Sequence, residues 1–284
     1  MRVLAVDLGG TKTALARVEV DGRVHGRRHM PAARTLDDSV AQVVSAADAV
    51  QAVGVIVPGI YSHDGRAWCP NLWGDAYVPL RDALQDRLSV PVAIDNDRAG
   101  YVLGEAWCGA ARDAHDAVFV SVSTGIGVGL MANGAVVRGA HGIAGAAGWF
   151  SLDAEWDDVY QRCGAWETQV SGPALARRFG VDQAEAVVVA ARGGDARACA
   201  LLGEAAHCLG RGIANIISLM NPEVVVLGGG VIQGGGDLLI DGIRREAGRW
   251  AQPIAARQCR IVTTMLGEDA GLLGAARLAL AEIT

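Results

Sequence analysis

The sequence has no run of basic residues, no Cys-x-x-Cys pair and no apolar stretch reaching the roughly 18 uncharged residues that span a bilayer. Each absence removes a class of function. With a net charge of −6 and no basic patch, there is no electrostatic footprint for nucleic acid or an anionic membrane. Partners are therefore expected to be small molecules or a second copy of the chain. The six cysteines, Cys69, Cys108, Cys163, Cys199, Cys208 and Cys259, are scattered. Met1 runs directly into an apolar segment without a signal-peptide pattern, so reduced thiols and a cytoplasmic protein are expected. The Walker pattern Gly-x-x-x-x-Gly-Lys-Ser/Thr is missing as well, and neither glycine-rich turn described below is followed by a helix.

What is present is a hydrophobic content of 51% with 20% charged residues over 284 positions, the composition of a well-packed globular chain long enough for two domains. Many of the 38 glycines lie beside apolar runs, where a ligand or another backbone can come close. The most informative stretch is Asp7-Leu8-Gly9-Gly10-Thr11-Lys12, directly after Val3-Leu4-Ala5-Val6. A buried strand ending in two glycines can turn its N–H groups and the Thr11 hydroxyl toward an anion, and Asp7 is the charge needed to hold magnesium, directly or through water. A plain hairpin turn is the alternative reading. A second unit of similar chemistry, Val118–Val122 followed by Ser123-Thr124-Gly125-Ile126-Gly127-Val128-Gly129, points to two related halves closing on one nucleotide.

In chain order, strands are predicted over 2–7, 14–20 and 23–30, and a helix over 36–50. Strand 53–57 ends at Pro58-Gly59, a loop opening toward a site, and an irregular stretch over 67–80 is centred on Asn71. A helix over 80–88 and a strand over 92–95 lead to Asp95-Asn96-Asp97, followed by a helix over 98–105. Carboxylates at the carboxyl end of a parallel strand lie where open α/β sheets bind ligands, although one of the three could serve only as a helix cap. The second half carries strands over 117–123 and 127–132 and a hairpin at Asn133-Gly134, with 139–148 looping back. Helices are expected over 171–178, 184–192, 196–220, 238–250 and 271–283, and strands over 224–227 and 260–264. Gly228-Gly229-Gly230 would let a flat ring lie against backbone, and the last helix is expected to pack on the first domain.

Taken together these motifs resemble the ROK family of sugar kinases along the whole chain. The resemblance implies an α/β, two-domain actin-like ATPase (ribonuclease H-like) fold with a cleft between domains 1–112, completed by 270–284, and 113–269. It implies ATP and Mg²⁺ as cofactors. Asp7, Gly9, Gly10, Thr11, Lys12, Thr124, Gly125 and Gly127 would surround the phosphates, and Gly228 and Gly229 would seat adenine. Asp97, with Gly104-Glu105 following, would be the general base, while Gly59, Asn71, Asn96 and Glu167 would face the acceptor. Phosphoryl transfer asks mainly for positioning and charge neutralisation, which agrees with a single essential carboxylate.

The likeness breaks at one place. Where the family usually carries Gly-Glu-x-Gly-His, this chain has Gly145-Ala146-Ala147-Gly148-Trp149, and the family's zinc-ligating cysteines reduce to Cys163. One cysteine cannot make a four-ligand zinc site, so no zinc is expected. For an ordinary hexose two polar contacts would be missing, at about 1.5–3 kcal/mol each, a loss too large to ignore. Trp149 is therefore read either as an apolar platform for a modified sugar, an aminosugar or a C7-cyclitol, or as filler for the missing zinc loop. An ordinary glucose-type kinase, a sugar- or nucleotide-binding sensor without activity, and a motion-coupled ATPase remain alternatives. Because the chain opens on its first strand, a DNA-reading segment is not expected; a homodimer is.

Overall fold

The computed structural model describes residues 1–152 and 155–283, which divide into two compact units. One comprises Met1–Asp113, Val136–Ala144 and Glu268–Thr284; the other, Ala114–Ala135 and Gly145–Gly267. The short excursion Val136–Ala144 thus belongs with the first unit, whereas the sequence places it inside an unbroken second domain. An ion pair between Arg138 and Asp95 ties it there.

In the first unit, β1 (Arg2–Leu8), β2 (Lys12–Glu19), β3 (Val24–Pro31), β4 (Val53–Val57) and β8 (Val92–Asn96) form a sheet of order β3-β2-β1-β4-β8. Three short strands, β5 (Ile60–Tyr61), β6 (Ala67–Trp68) and β7 (Tyr77–Val78), make a separate small sheet. β1, β4 and β8 run parallel and are almost wholly buried, which is why they read as unbroken apolar runs. β3 is an exposed edge strand, and its His25, Arg27, Arg28 and His29 discourage pairing with another chain.

The helices α1 (Leu36–Ala46), α2 (Pro70–Trp73) and α3 (Leu80–Gln85) precede α4 (Asp97–Cys108). Thr35 caps α1 through its hydroxyl, which accepts from the Asp38 N–H. Val40, Val43, Leu80 and Leu84 from α1 and α3 cover one face of the sheet against Leu4, Val6, Val55 and Val57. On α4 and β4 lies α12 (Asp269–Ala281), so closely that side chains are excluded at the crossings. A Cβ on Gly274 would stand 1.8 Å from the Gly100 carbonyl oxygen, and one on Gly54 1.8 Å from that of Ala275.

The second unit repeats the strand arrangement. β9 (Ala117–Val122), β10 (Ile126–Ala132), β11 (Ala135–Val136), β12 (Val224–Gly228) and β13 (Arg260–Thr263) form a sheet of order β11-β10-β9-β12-β13. In both sheets an antiparallel hairpin lies beside parallel strands. The helices here are α5 (Tyr160–Cys163), α6 (Ala165–Val170), α7 (Gly172–Phe179), α8 (Ala184–Arg192), α9 (Ala196–Met220), α10 (Gly230–Trp250) and α11 (Pro253–Gln258). The stripe Leu201, Leu202, Ala205, Leu209, Ile213, Ile216 and Ile217 on α9 shares one buried cluster with Val118, Val120, Val225 and Leu227 of the sheet. Asn221, in the left-handed conformation at φ 47°, ends α9 just before Pro222. No helix among the described residues is long and apolar enough to cross a membrane.

Two further expectations are corrected. α10 begins at Gly230, well ahead of the start predicted at 238, because Gly234-Gly235-Gly236 is helical despite its poor propensity. The reason is packing: a Cβ on Gly235 would meet a Val188 methyl at 2.9 Å. The stretch 67–80, read as irregular, holds β6, α2 and β7.

Candidate functional site

Three residues in register, Asp7 on β1, Ile56 on β4 and Asp95 on β8, form a row across the parallel strands of the first unit. Beyond this row the chain turns into α4, and the three polar residues of Asp95-Asn96-Asp97 divide their tasks. Asn96 is the N-cap: its Oδ1 accepts from the Ala99 N–H at 3.0 Å, and its Nδ2 donates to Asp95 Oδ1 at 3.1 Å. Asp95 is 1% exposed, and Arg138 donates to its Oδ2 from Nε at 2.7 Å and from Nη2 at 2.6 Å. Burial raises the Asp95 pKa, and Arg138 opposes the rise.

Asp97 is the first residue of α4, and its Oδ1 accepts from the Arg98 N–H at 2.8 Å. Burial pushes its pKa up to about 6, against the Arg98 guanidinium, which pulls it down. Asp7 is pushed higher, to about 7, by burial and then by the negative charge of Asp97, with Lys12 opposing. Tyr101, one turn along α4 from Asp97, has its pKa driven well above the usual tyrosine value by Asp7, burial and Asp97. A buried carboxylate that stays the more acidic of the two while its charge raises its neighbour's pKa suits a general base beside a cation ligand.

The remaining predicted residues of this unit lie around the same strand ends. Leu8 pairs with Thr13, so Gly9–Lys12 is a tight hairpin connection between β1 and β2. A Cβ on Gly10 would meet the Asn71 Cβ at 3.8 Å. Asn71 is on α2, and its carbonyl accepts from Arg34 Nη1 at 2.7 Å. The Gly59 carbonyl accepts from Arg98 Nη2 at 3.2 Å. Lys12 is paired with Glu268 at 3.1 Å. Gly104 and Glu105 have structural tasks: a Cβ on Gly104 would strike the Ala270 carbonyl, and the Glu105 carboxylate accepts from the Ala110 N–H.

In the second unit, Ser123-Thr124-Gly125 connects β9 to β10, with Val122 paired to Ile126 and Gly127 next in β10. Glu167 holds this connection, accepting from the Ile126 N–H at 2.7 Å, and burial raises its pKa. Gly228 and Gly229 are required by packing: added Cβ atoms would lie 2.4 Å from Phe119 and 2.5 Å from the Val122 carbonyl oxygen. Trp149 ends a 3₁₀ turn, Ala147–Trp149, and is 55% exposed, so its ring does not fill an interior gap. Cys163 lies 3.4 Å from the Thr168 hydroxyl, and among the described residues no three His, Cys, Asp or Glu side chains cluster around a common metal position.

Sequence reasoning misses Arg138, Arg98, Tyr101 and Glu268. Only Arg98, directly after Asp97, carries a positional signal; Arg138 lies 43 residues from its partner.

Known proteins resemble this chain along its whole length. A sequence model of the ROK family matches residues 3–282. The N-acetylmannosamine kinase of Shigella boydii is 34% identical over 297 residues, 99% of each chain. The glucokinase of Halalkalibacterium halodurans is 29% identical over 307 residues, 95% of this chain and 92% of its own. Among solved structures, a ROK family glucokinase from Streptomyces griseus in complex with glucose and AMPPNP has a TM-score of 0.83 at 27% identity, covering 99% of this chain and 100% of that one. The fold is of the actin-like ATPase class, and with a family match extending over nearly every residue, the chain belongs to the ROK family.

Proposed function

We propose that this protein transfers the γ-phosphate of ATP to a hydroxyl of a modified sugar, an aminosugar or a C7-cyclitol, with Asp97 as general base. The observation that carries the reading is the partly buried pair Asp7 and Asp97 at the ends of β1 and β8, with pKa values of about 7 and 6. Asp97 Oδ1 is committed to the Arg98 N–H, which orients the carboxylate and leaves Oδ2 to take the acceptor's proton. A base with a pKa near 6 is ionised at neutral pH and still basic enough to help a hydroxyl attack. The donor set at Asp7 fits Mg²⁺, which would be held there directly or through water and would supply neutralising charge to the phosphates. The Gly9–Lys12 turn would offer backbone N–H groups to phosphate, with Thr124, Gly125 and Gly127 serving the nucleotide in the second unit.

The acceptor class follows from Ala146 and Trp149. An exposed indole offers a flat apolar face to the C–H surface of a ring, where charged side chains would bind hydroxyls. The 34% identity to an N-acetylmannosamine kinase supports an aminosugar within this class. The test is ADP release from Mg-ATP with hexoses, hexosamines, N-acetylhexosamines and cyclitols, wild type beside Asp97→Asn and Trp149→Ala. Acceptor-dependent release is expected, lost in Asp97→Asn and given a raised acceptor KM in Trp149→Ala. Plain glucose turned over as well as any other acceptor would count against the specificity.

A further inference from the structure

The excursion Val136–Ala144 leaves the second unit's sheet and is counted with the first unit. It closes on itself through the Ala144 N–H, which donates to the Arg138 carbonyl at 3.1 Å. It also lies hard against β5, where a Cβ on Gly142 would stand 2.6 Å from the Tyr61 carbonyl oxygen. From this loop Arg138 reaches a carboxylate that is almost wholly buried. The two oxygens of Asp95 are shared out: Oδ2 takes both Arg138 donors, while Oδ1 accepts from the Asn96 backbone N–H at 2.8 Å and from Asn96 Nδ2. Asn96 Oδ1 then caps α4. A second tie runs in parallel, since Arg98 Nη2 donates to the Gly59 carbonyl and, at 3.4 Å, to that of Gly142.

We propose that this excursion braces the catalytic turn, with Arg138 as a positioning residue that acts through Asp95 and Asn96 on the first turn of α4 and so on Asp97. The inference rests on the kinase reading given above. Fixing Asp95 by two donors on one oxygen leaves the other to select the Asn96 amide orientation, and that orientation determines whether Asn96 can cap. A loosened cap frees the first turn, and a displacement of about 1 Å in a reacting group can cost on the order of 10²-fold in rate.

The experiment compares Arg138→Met, Arg138→Lys and the double variant Arg138→Met/Asp95→Asn by steady-state kinetics, thermal midpoint and backbone amide exchange. In Arg138→Met, kcat is expected to fall roughly tenfold or more with the KM for ATP within about twofold of wild type, and Arg138→Lys to recover most of the loss. Amide exchange at 98–101 should rise by about tenfold or more while 117–132 is unchanged. The double variant removes the carboxylate left buried by the single change, so its thermal midpoint should recover while kcat stays low. Unchanged exchange at 98–101 in Arg138→Met would overturn the brace, as would recovery of kcat together with the midpoint. If no acceptor is turned over by the wild type, the kinase reading fails, and the exchange measurement still decides whether Arg138 positions the turn.

Discussion

Replacing Asp97 by Asn should cost activity and increase stability. The folded-state pKa of Asp97 is about 6 against a usual 3.8, so folding is favoured while the group is protonated; that advantage begins to fade above 3.8 and is lost as pH rises through about 6. A difference of about two in pKa, at roughly 1.36 kcal/mol for each, gives a penalty of about 3 kcal/mol at pH 8, falling to about half at pH 5 and nearly gone below about pH 4. Asparagine carries no charge and retains an oxygen for the Arg98 N–H. Asp7, whose pKa is raised partly by Asp97, is relieved as well. The thermal midpoint of the nucleotide-free variant should therefore rise by roughly 5 °C at pH 8 and clearly less at pH 5. Its kcat should fall by about 10²–10⁴, the usual contribution of a positioned base. In the wild type, kcat/KM should rise with pH between about 6 and 7, where Asp97 and then Asp7 lose their protons. A variant less stable than wild type at pH 8, or equally shifted at both pH values, would refute the electrostatic account.

Gly274→Ala would place a methyl 1.8 Å from the Gly100 carbonyl oxygen, and a loss of about 3 kcal/mol, the upper end for overpacking, is expected by chemical denaturation; an unchanged midpoint would contradict the α4–α12 packing. Glu167→Ala strands the Ile126 N–H at a cost of about 1–3 kcal/mol and should raise the KM for ATP, with Glu167→Gln near wild type. A raised acceptor KM with unchanged ATP kinetics would instead assign Glu167 to the acceptor.

Much of the fold is legible because its central strands are buried on both faces and their residues are contiguous in sequence. The runs Val3–Val6, Val53–Val57 and Val224–Leu227 lie in β1, β4 and β12, and the glycines after the first mark its hairpin connection. The start of α10 is hidden because local propensity at Gly234-Gly235-Gly236 opposes a helix that tertiary contact with Val188 requires. At the site, Asp95-Asn96-Asp97 stands out as three polar residues after an apolar strand, but their separate tasks do not. The Asn96 cap is one of two readings, and the Arg138 partner of Asp95 comes from a different part of the chain with no periodicity linking them. Glu167 carries a resemblance to an acceptor ligand, whereas its observed hydrogen bond is to the backbone of β10.

The last segment of the first unit, which carries α12, follows the whole of the second in sequence, and this sets an order of events during synthesis. β1, β4 and α4 leave the ribosome early, yet α12, which covers them, is made only after β13, a delay on the order of ten seconds at typical elongation rates. During that interval Gly54 and Gly104, whose missing side chains make room for α12, face no partner from it. The unit made first is therefore the one completed last, and a nascent chain halted before α12 presents an open apolar sheet to whatever holds it.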